Sequence, residues 1–351
     1  MNNNESKKIW LIISGKIVTD HKIEASTFGK LLTNLQHVID AIQEAKFKGH
    51  SKKEFILYLT HFEQGSVAAA LQPSGFQTDL LSGSMVFEEM VYNLEDLIKT
   101  LIDSTEGFKT KIDDEFLLPY DKIRFLESFR GMLSKRNKFS VSIGYDIAKP
   151  SHPVSLPAHR EGYIKDLISE YYEKSSVEVK GIIMRVKGDD PRSFTIKTET
   201  NDTIRCVYTP ETEKDVMNLF KSPVIVRGLL NKRRKLKEME MVKDIRPFSS
   251  MTLTELGEFS FLLPLSVRVS YHDPDEQWCL ENDELTLAGY GNSFGDASVS
   301  LKESLESLVI GIFAFDEASL TGKSKEIKKN LQKYLNLDQM NGMIDGIQIE
   351  S

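Results

Sequence analysis

Along the first third of the chain the spacing of apolar positions changes several times, and each change marks an element. Residues 9–18 carry the run Ile9-Trp10-Leu11-Ile12-Ile13 and close on Thr19-Asp20-His21, which predicts a strand. From Ser26 to about Lys46, Phe28, Leu31, Leu32, Leu35, Val38, Ile39 and Ile42 recur at three and four. A helix with one buried face is expected there, with Ser26 as its N-cap. Residues 55–62 alternate as a second strand, Gly65-Ser66 turns the chain, and residues 67–71 return beside it. Helices are predicted over 84–102 and 119–134, and residues 138–147 alternate as a closing strand. Residues 1–148 therefore read as an α+β domain with strands first and last. Pro150, Pro153 and Pro157 make 149–157 the best linker, and a helix over 158–172 completes a connecting segment at 149–175.

Alternation resumes at Val177 and is cleaner than anywhere else. Residues 177–185 form one strand, and 193–199 with 203–209 form a hairpin around Asn201-Asp202. Pro210-Glu211-Thr212-Glu213 opens a short helix through Val216, Leu219 and Phe220, and strands at 223–230 and 236–245 follow. Three strands, a helix and two strands over 176–248 is the order of the five-stranded Greek-key barrel called the OB-fold, which this segment resembles.

Beyond the break at Pro247-Phe248-Ser249-Ser250, residues 263–271, 277–281 and 284–290 read as three strands. Gly291-Asn292-Ser293 leads into a long helix through Ala314, with Ser293 and Asp296 as a capping pair. Ala297, Leu301, Leu305, Leu308, Val309 and Ile312 keep its buried face. A three-stranded sheet, a Gly-x-Ser helix opening, an alanine on the first turn and a helix across the sheet resemble the HicB-like antitoxin fold over about 70 residues. That resemblance implies a decayed ribonuclease H-like fold that binds a small toxin protein. The fold class expected for the whole is α+β multidomain: an N-terminal α+β domain, a central OB-like barrel, and a HicB-like sheet plus helix over 249–351.

Charge sharpens the division. The chain of 351 residues has net charge −7. Residues 176–247 hold 16 Lys/Arg against 11 Asp/Glu, a net +5, whereas 248–351 hold 7 against 17, a net −10. A positive module beside an acidic one fits a polyanion partner, or mutual attraction of the two modules. Cys206 and Cys279 fall in different predicted modules and give no disulfide framework, and no apolar run approaches the roughly 20 residues of a spanning helix. A cytoplasmic protein that does not enter the membrane is expected.

Candidate chemistry is sparse. The loop Lys232-Arg233-Arg234-Lys235 joins the last two barrel strands, where OB-folds flank their ligand groove, and Phe194 and Tyr208 sit on neighbouring strands as candidate base-stacking rings. The same loop also reads as a solvated hairpin tip. Asp273, Asp275 and Glu276, followed by Trp278, form an acidic turn suited to a basic protein partner, the neighbouring barrel included. Gly322-Lys323-Ser324 lacks the first glycine of a phosphate loop, which would fall at Glu317, and none of the seven histidines has metal-ligand spacing. No catalytic residue, metal or cofactor is expected. The favoured function is a non-enzymatic adaptor or regulatory protein with a protein partner, in a toxin–antitoxin-like or defence system as the resemblance implies. The alternative is a single-stranded nucleic-acid-binding protein acting through the barrel. An enzyme using the N-terminal domain is the third class.

Overall fold

The first strand, β1 (Lys8–Ser14), runs through the middle of an antiparallel sheet because Ile9, Leu11 and Ile13 are buried toward one face while Trp10 is buried on the other. The computed structural model describes residues 7–15, 18, 23–46, 55–63, 67–73, 82–133, 139–189, 191–231, 238–315 and 319–336. The chain divides into two units, Met1–Ser175 and Ser176–Ser351.

In the first unit β1 is followed by α1 (Ala25–Lys46), β2 (Leu57–Glu63), β3 (Val67–Pro73), α2 (Ser82–Asp103), α3 (Thr105–Glu115), α4 (Pro119–Met132), β4 (Ser140–Asp146), β5 (Val154–Ser155) and α5 (Glu161–Ser175). The sheet order is β2-β3-β1-β4-β5 and every pair is antiparallel. Helix α1 packs on α4, and α4 on α5.

Three expectations change here. Helix α1 begins at Ala25, so Ser26 lies inside it and gives its hydroxyl hydrogen to Glu24 Oε1 at 2.6 Å instead of capping. Helix α3 is an addition to the predicted elements. Ser104, with extended backbone, separates α3 from α2 and caps α3 by accepting from Gly107 N at 3.0 Å. The proline-rich segment is not structureless: Val154 and Ser155 pair with Ile143 and Ser142, and α5 belongs with α4. The turn at Gly65-Ser66 lies outside the described residues.

The second unit opens with β6 (Val177–Lys187), β7 (Ser193–Thr198), β8 (Thr203–Tyr208), α6 (Glu213–Asn218), β9 (Pro223–Asn231) and β10 (Glu238–Pro247). These five strands close a barrel in the order β10-β8-β7-β6-β9. Closure is made by β10, which runs parallel to β8 and antiparallel to β9. Strand β6 pairs with β9 over its first half and β7 over its second. The two partners overlap at Gly181, where an added Cβ would stand 2.5 Å from Lys197 O, so only glycine fits this tight crossing. Ile183, Phe194, Ile196, Cys206, Val224, Val226 and Met239 fill the interior.

The rest of the unit is β11 (Ser250–Leu256), β12 (Phe259–His272), β13 (Gln277–Asn282), β14 (Leu287–Gly291), α7 (Phe294–Phe313) and α8 (Gly322–Tyr334). The sheet order is β11-β12-β13-β14, one strand more than the sequence pattern predicts. The helix opening follows that pattern: Ser293 Oγ accepts from Asp296 N, and Asp296 Oδ2 accepts from Ser293 N, both at 3.0 Å. Helix α7 lies directly on β14. A Cβ at Gly289 would stand 2.3 Å from Ala297 O, so the helix backbone occupies the space a side chain would need. Leu265, Val267, Trp278 and Leu280 from the sheet share a core with Ala297, Leu301, Leu305 and Val309 from α7. Ile182 and Phe248, from the barrel side, belong to that same core, and Met184 and Ile225 pack against it. The barrel and this module are one packed body. No described helix is long and apolar enough to cross a membrane.

Candidate functional site

The acidic turn forms where β12 reverses into β13. Asp273–Asp275 make one helical turn, and Glu276 takes a left-handed backbone, φ 51°, to send the chain back. Its carboxylates divide between partners. Asp273 Oδ2 accepts from Lys221 Nζ at 2.5 Å, Glu276 lies 3.9 Å from Lys197 Nζ, and Asp275 Oδ2 is 2.8 Å from His272 Nδ1. Lys221 follows α6 and Lys197 is on β7, so the turn faces the barrel of its own unit. Trp278 is 0 % exposed, edge-on to Tyr271 and to Phe294, and among the described residues its buried Nε1 has no hydrogen-bond partner. Its ring is a core element with no face free for a partner.

On the barrel, Phe194 and Tyr208 are 1 % and 4 % exposed, and their ring centroids lie 5.7 Å apart in the interior. Rings in that position fill the barrel and have no free face for a base. Lys232, Arg233, Arg234 and Lys235 lie outside the described residues. The outer surface shows a cross-strand row instead: Arg185 on β6 pairs with Thr195 on β7, which pairs with Arg205 on β8, which pairs with Glu238 on β10. Arg185 is exposed, whereas Arg205 donates to the buried Glu238 carboxylate at 3.1 Å. Both cysteines are buried, and burial pushes the Cys206 and Cys279 thiols up, away from the nucleophilic thiolate form.

In the first unit the concave surface and the cluster around Glu170 and Asp113 are in different places. An open concavity of about 1080 Å³ is lined by Thr27, Lys30, Asn34, Glu127, Arg130 and Phe139 among others. The titrating cluster lies on α3, α4 and α5. Lys109 and then Lys174 donate to Glu170 and hold its carboxyl down to about 2. Burial would raise the Asp113 carboxyl, but hydrogen bonds from Lys122 and Tyr171 bring it below its ordinary value. Burial, then the bond to Asp113, pushes the Tyr171 phenol up. These pairs staple three helices together, and none of them lines the concavity. Among the described residues no three His, Cys, Asp or Glu side chains converge on a possible metal position.

No protein-family model, curated protein or solved structure matches this chain. The function is therefore argued from the site itself. Sequence reading missed two features of the second unit. One is the exposed apolar run Phe261-Leu262-Leu263-Pro264 on β12, legible as consecutive apolar residues in a strand. The other is α8, whose signal is a lysine every fourth residue with Ile327 and Leu331 between them.

Proposed function

We propose that this chain is a non-enzymatic adaptor or regulatory protein whose C-terminal module binds another protein. The observation that supports it best is the run on β12. Leu262 and Leu263 are 61 % and 52 % exposed, Pro264 is exposed and Phe261 half-buried. Successive strand residues point to opposite faces, so a half-buried strand normally exposes only alternate positions. Here both faces carry uncovered apolar side chains. Burying one such leucine against a partner contributes about 1.5–3 kcal/mol. Strand β13 pairs with β12 only from Arg268 to His272, so the run extends beyond it. Pro264 has no N–H to offer a continuous ladder, which discourages indiscriminate strand pairing and leaves the two leucines as the grip.

The HicB-like resemblance of the module, a sheet crossed by a capped helix, supports a toxin–antitoxin-like or defence setting in the cytoplasm. The test is purification of the full chain from its native host. A stoichiometric protein partner that is lost in Leu262→Ser/Leu263→Ser is expected. A lone chain, or a partner retained by that variant, overturns the reading.

A second reading, single-stranded nucleic acid bound through the OB-like barrel, is favoured by the exposed Arg185 beside Thr195 and by the basic loop 232–235. It is the weaker one, because Phe194 and Tyr208 are interior and Lys197 and Lys221 face the acidic turn.

A further inference from the structure

Much of the positive charge in the second unit is already matched by carboxylates. On the barrel, Lys180 lies 3.8 Å from Glu199, Arg192 3.7 Å from Glu213 and Arg246 2.8 Å from Glu178, besides the Lys197, Arg205 and Lys221 pairs already described. In the acidic module, Arg268 holds Glu281 and Asp283, and Lys302 holds Glu258 and Glu306. The other five cations of residues 249–351 all stand on α8: Lys323, Lys325, Lys328, Lys329 and Lys333. Lys328 lies over the Phe313 ring at 5.1 Å. The remaining four are exposed and, among the described residues, have no carboxylate partner.

Their arrangement follows from helix geometry. Thr321 caps α8 by accepting from Ser324 N, and Ile327, Leu331 and Tyr334 pack into the module core. Lys325, Lys329 and Lys333 recur every four residues on the opposite face, which sets their backbones about 6 Å apart in a row about 12 Å long. Glu326 is the one acid on the helix.

We propose that α8 is a sequence-independent contact for the sugar-phosphate backbone of a nucleic acid, made by Lys325, Lys329 and Lys333. One strand of a duplex carries a phosphate about every 3.4 Å along the axis, so a row of this length meets several. Lysine is a point charge without the planar fork that reads a base edge, which suits contact without sequence choice. A membrane surface fits less well, because an interfacial helix needs a free apolar face and that of α8 is already buried in the module. An acidic protein fits less well too, since the exposed face has no aromatic or aliphatic anchor. This inference does not rest on the adaptor reading and uses different residues from the β12 run.

The test is fluorescence anisotropy of the full chain with a labelled oligodeoxythymidine and a labelled duplex over a salt series. Binding at low salt is expected. Lys325→Gln/Lys329→Gln/Lys333→Gln should lower the salt-slope magnitude by about 2 for the single strand and nearly 3 for the duplex. Replacing all three by arginine should keep it. Glutamine has nearly the helix propensity of lysine, and circular dichroism checks that α8 persists. Should the triple variant not fold, Lys329→Gln alone should lower the slope by about 0.7–0.9. A slope unchanged in the glutamine variants overturns the proposal, as does a slope that falls only when Lys232, Arg233, Arg234 and Lys235 are changed. Binding confined to phosphatidylserine vesicles, with neither oligonucleotide bound, also overturns it.

Discussion

Lys221 Nζ donates to Asp273 Oδ2 at 2.5 Å across 52 residues of sequence, joining the end of the barrel's small helix to the acidic turn of the module beside it. The two opposite net charges thus meet in an identified contact, with Lys197 and Glu276 as a longer companion at 3.9 Å. Both members of the Lys221 pair are more than a third exposed, so solvent screens the attraction. A double-mutant cycle with Lys221→Ala and Asp273→Ala, followed by urea denaturation, should return a coupling of about 0.2–1 kcal/mol that shrinks with added salt. Zero coupling at low salt would show that this pair does not help to join the modules.

Phe194 is a core residue of the barrel, and its truncation reads out as stability. Phe194→Ala should cost about 3–5 kcal/mol by chemical denaturation, the range for emptying a large buried aromatic site. A loss under about 1 kcal/mol, the level of an ordinary surface change, would mean that the ring does not fill the barrel.

Gly289 tests the contact of α7 with β14. An added methyl would collide with backbone atoms Ala297 O and Leu301 N, at 2.3 and 2.4 Å, and a backbone cannot swing aside as a side-chain tip can. Gly289→Ala should therefore destabilise by about 1–3 kcal/mol, as overpacking does. Gly311→Ala, with none of the described residues within 4 Å of the added methyl and a helical setting, should be neutral or slightly stabilising. Thermal melts of the two variants make the comparison.

Acid should weaken the first unit through Glu170. Its carboxyl sits at about 2 in the folded chain against an ordinary 4.5, chiefly through the hydrogen bond from Lys109. A lowered folded value means that the stabilisation is present above the unfolded value and lost as pH falls from about 4.5 toward 2. The melting temperature of the wild type should fall over that window more steeply than that of Glu170→Gln. Parallel curves would remove Glu170 as a source of acid sensitivity.

What the sequence disclosed depended on how many apolar residues marked each element. The barrel strands alternate with few interruptions, and the Ser293–Asp296 cap fixes the start of α7 to the residue. Helix α8 offers only Ile327, Leu331 and Tyr334 amid lysines, and its opening Gly322-Lys323-Ser324 reads first as a phosphate-loop remnant. Strand β11 is hidden because its exposed side is polar and its first residue, Ser250, follows Ser249 in what resembles a break. Phe194 and Tyr208 belong to strands whose alternate positions, Ile196 and Cys206 among them, are apolar. That pattern says the rings share the apolar face, and closure of the sheet turns that face inward. The Lys221–Asp273 pair is out of reach of any sequence pattern, since nothing local links residues so far apart.

Strand β6 gives Ile182 to the module's core and the next residue, Ile183, to the barrel's interior. One strand is thus a party wall between two rooms. A fragment ending at Pro247 would leave Ile182, Met184 and Ile225 bare to solvent, so the barrel is poorly suited to being moved as a cassette into another protein. Any lineage that shuffled these pieces would have to carry both rooms together or rebuild the wall.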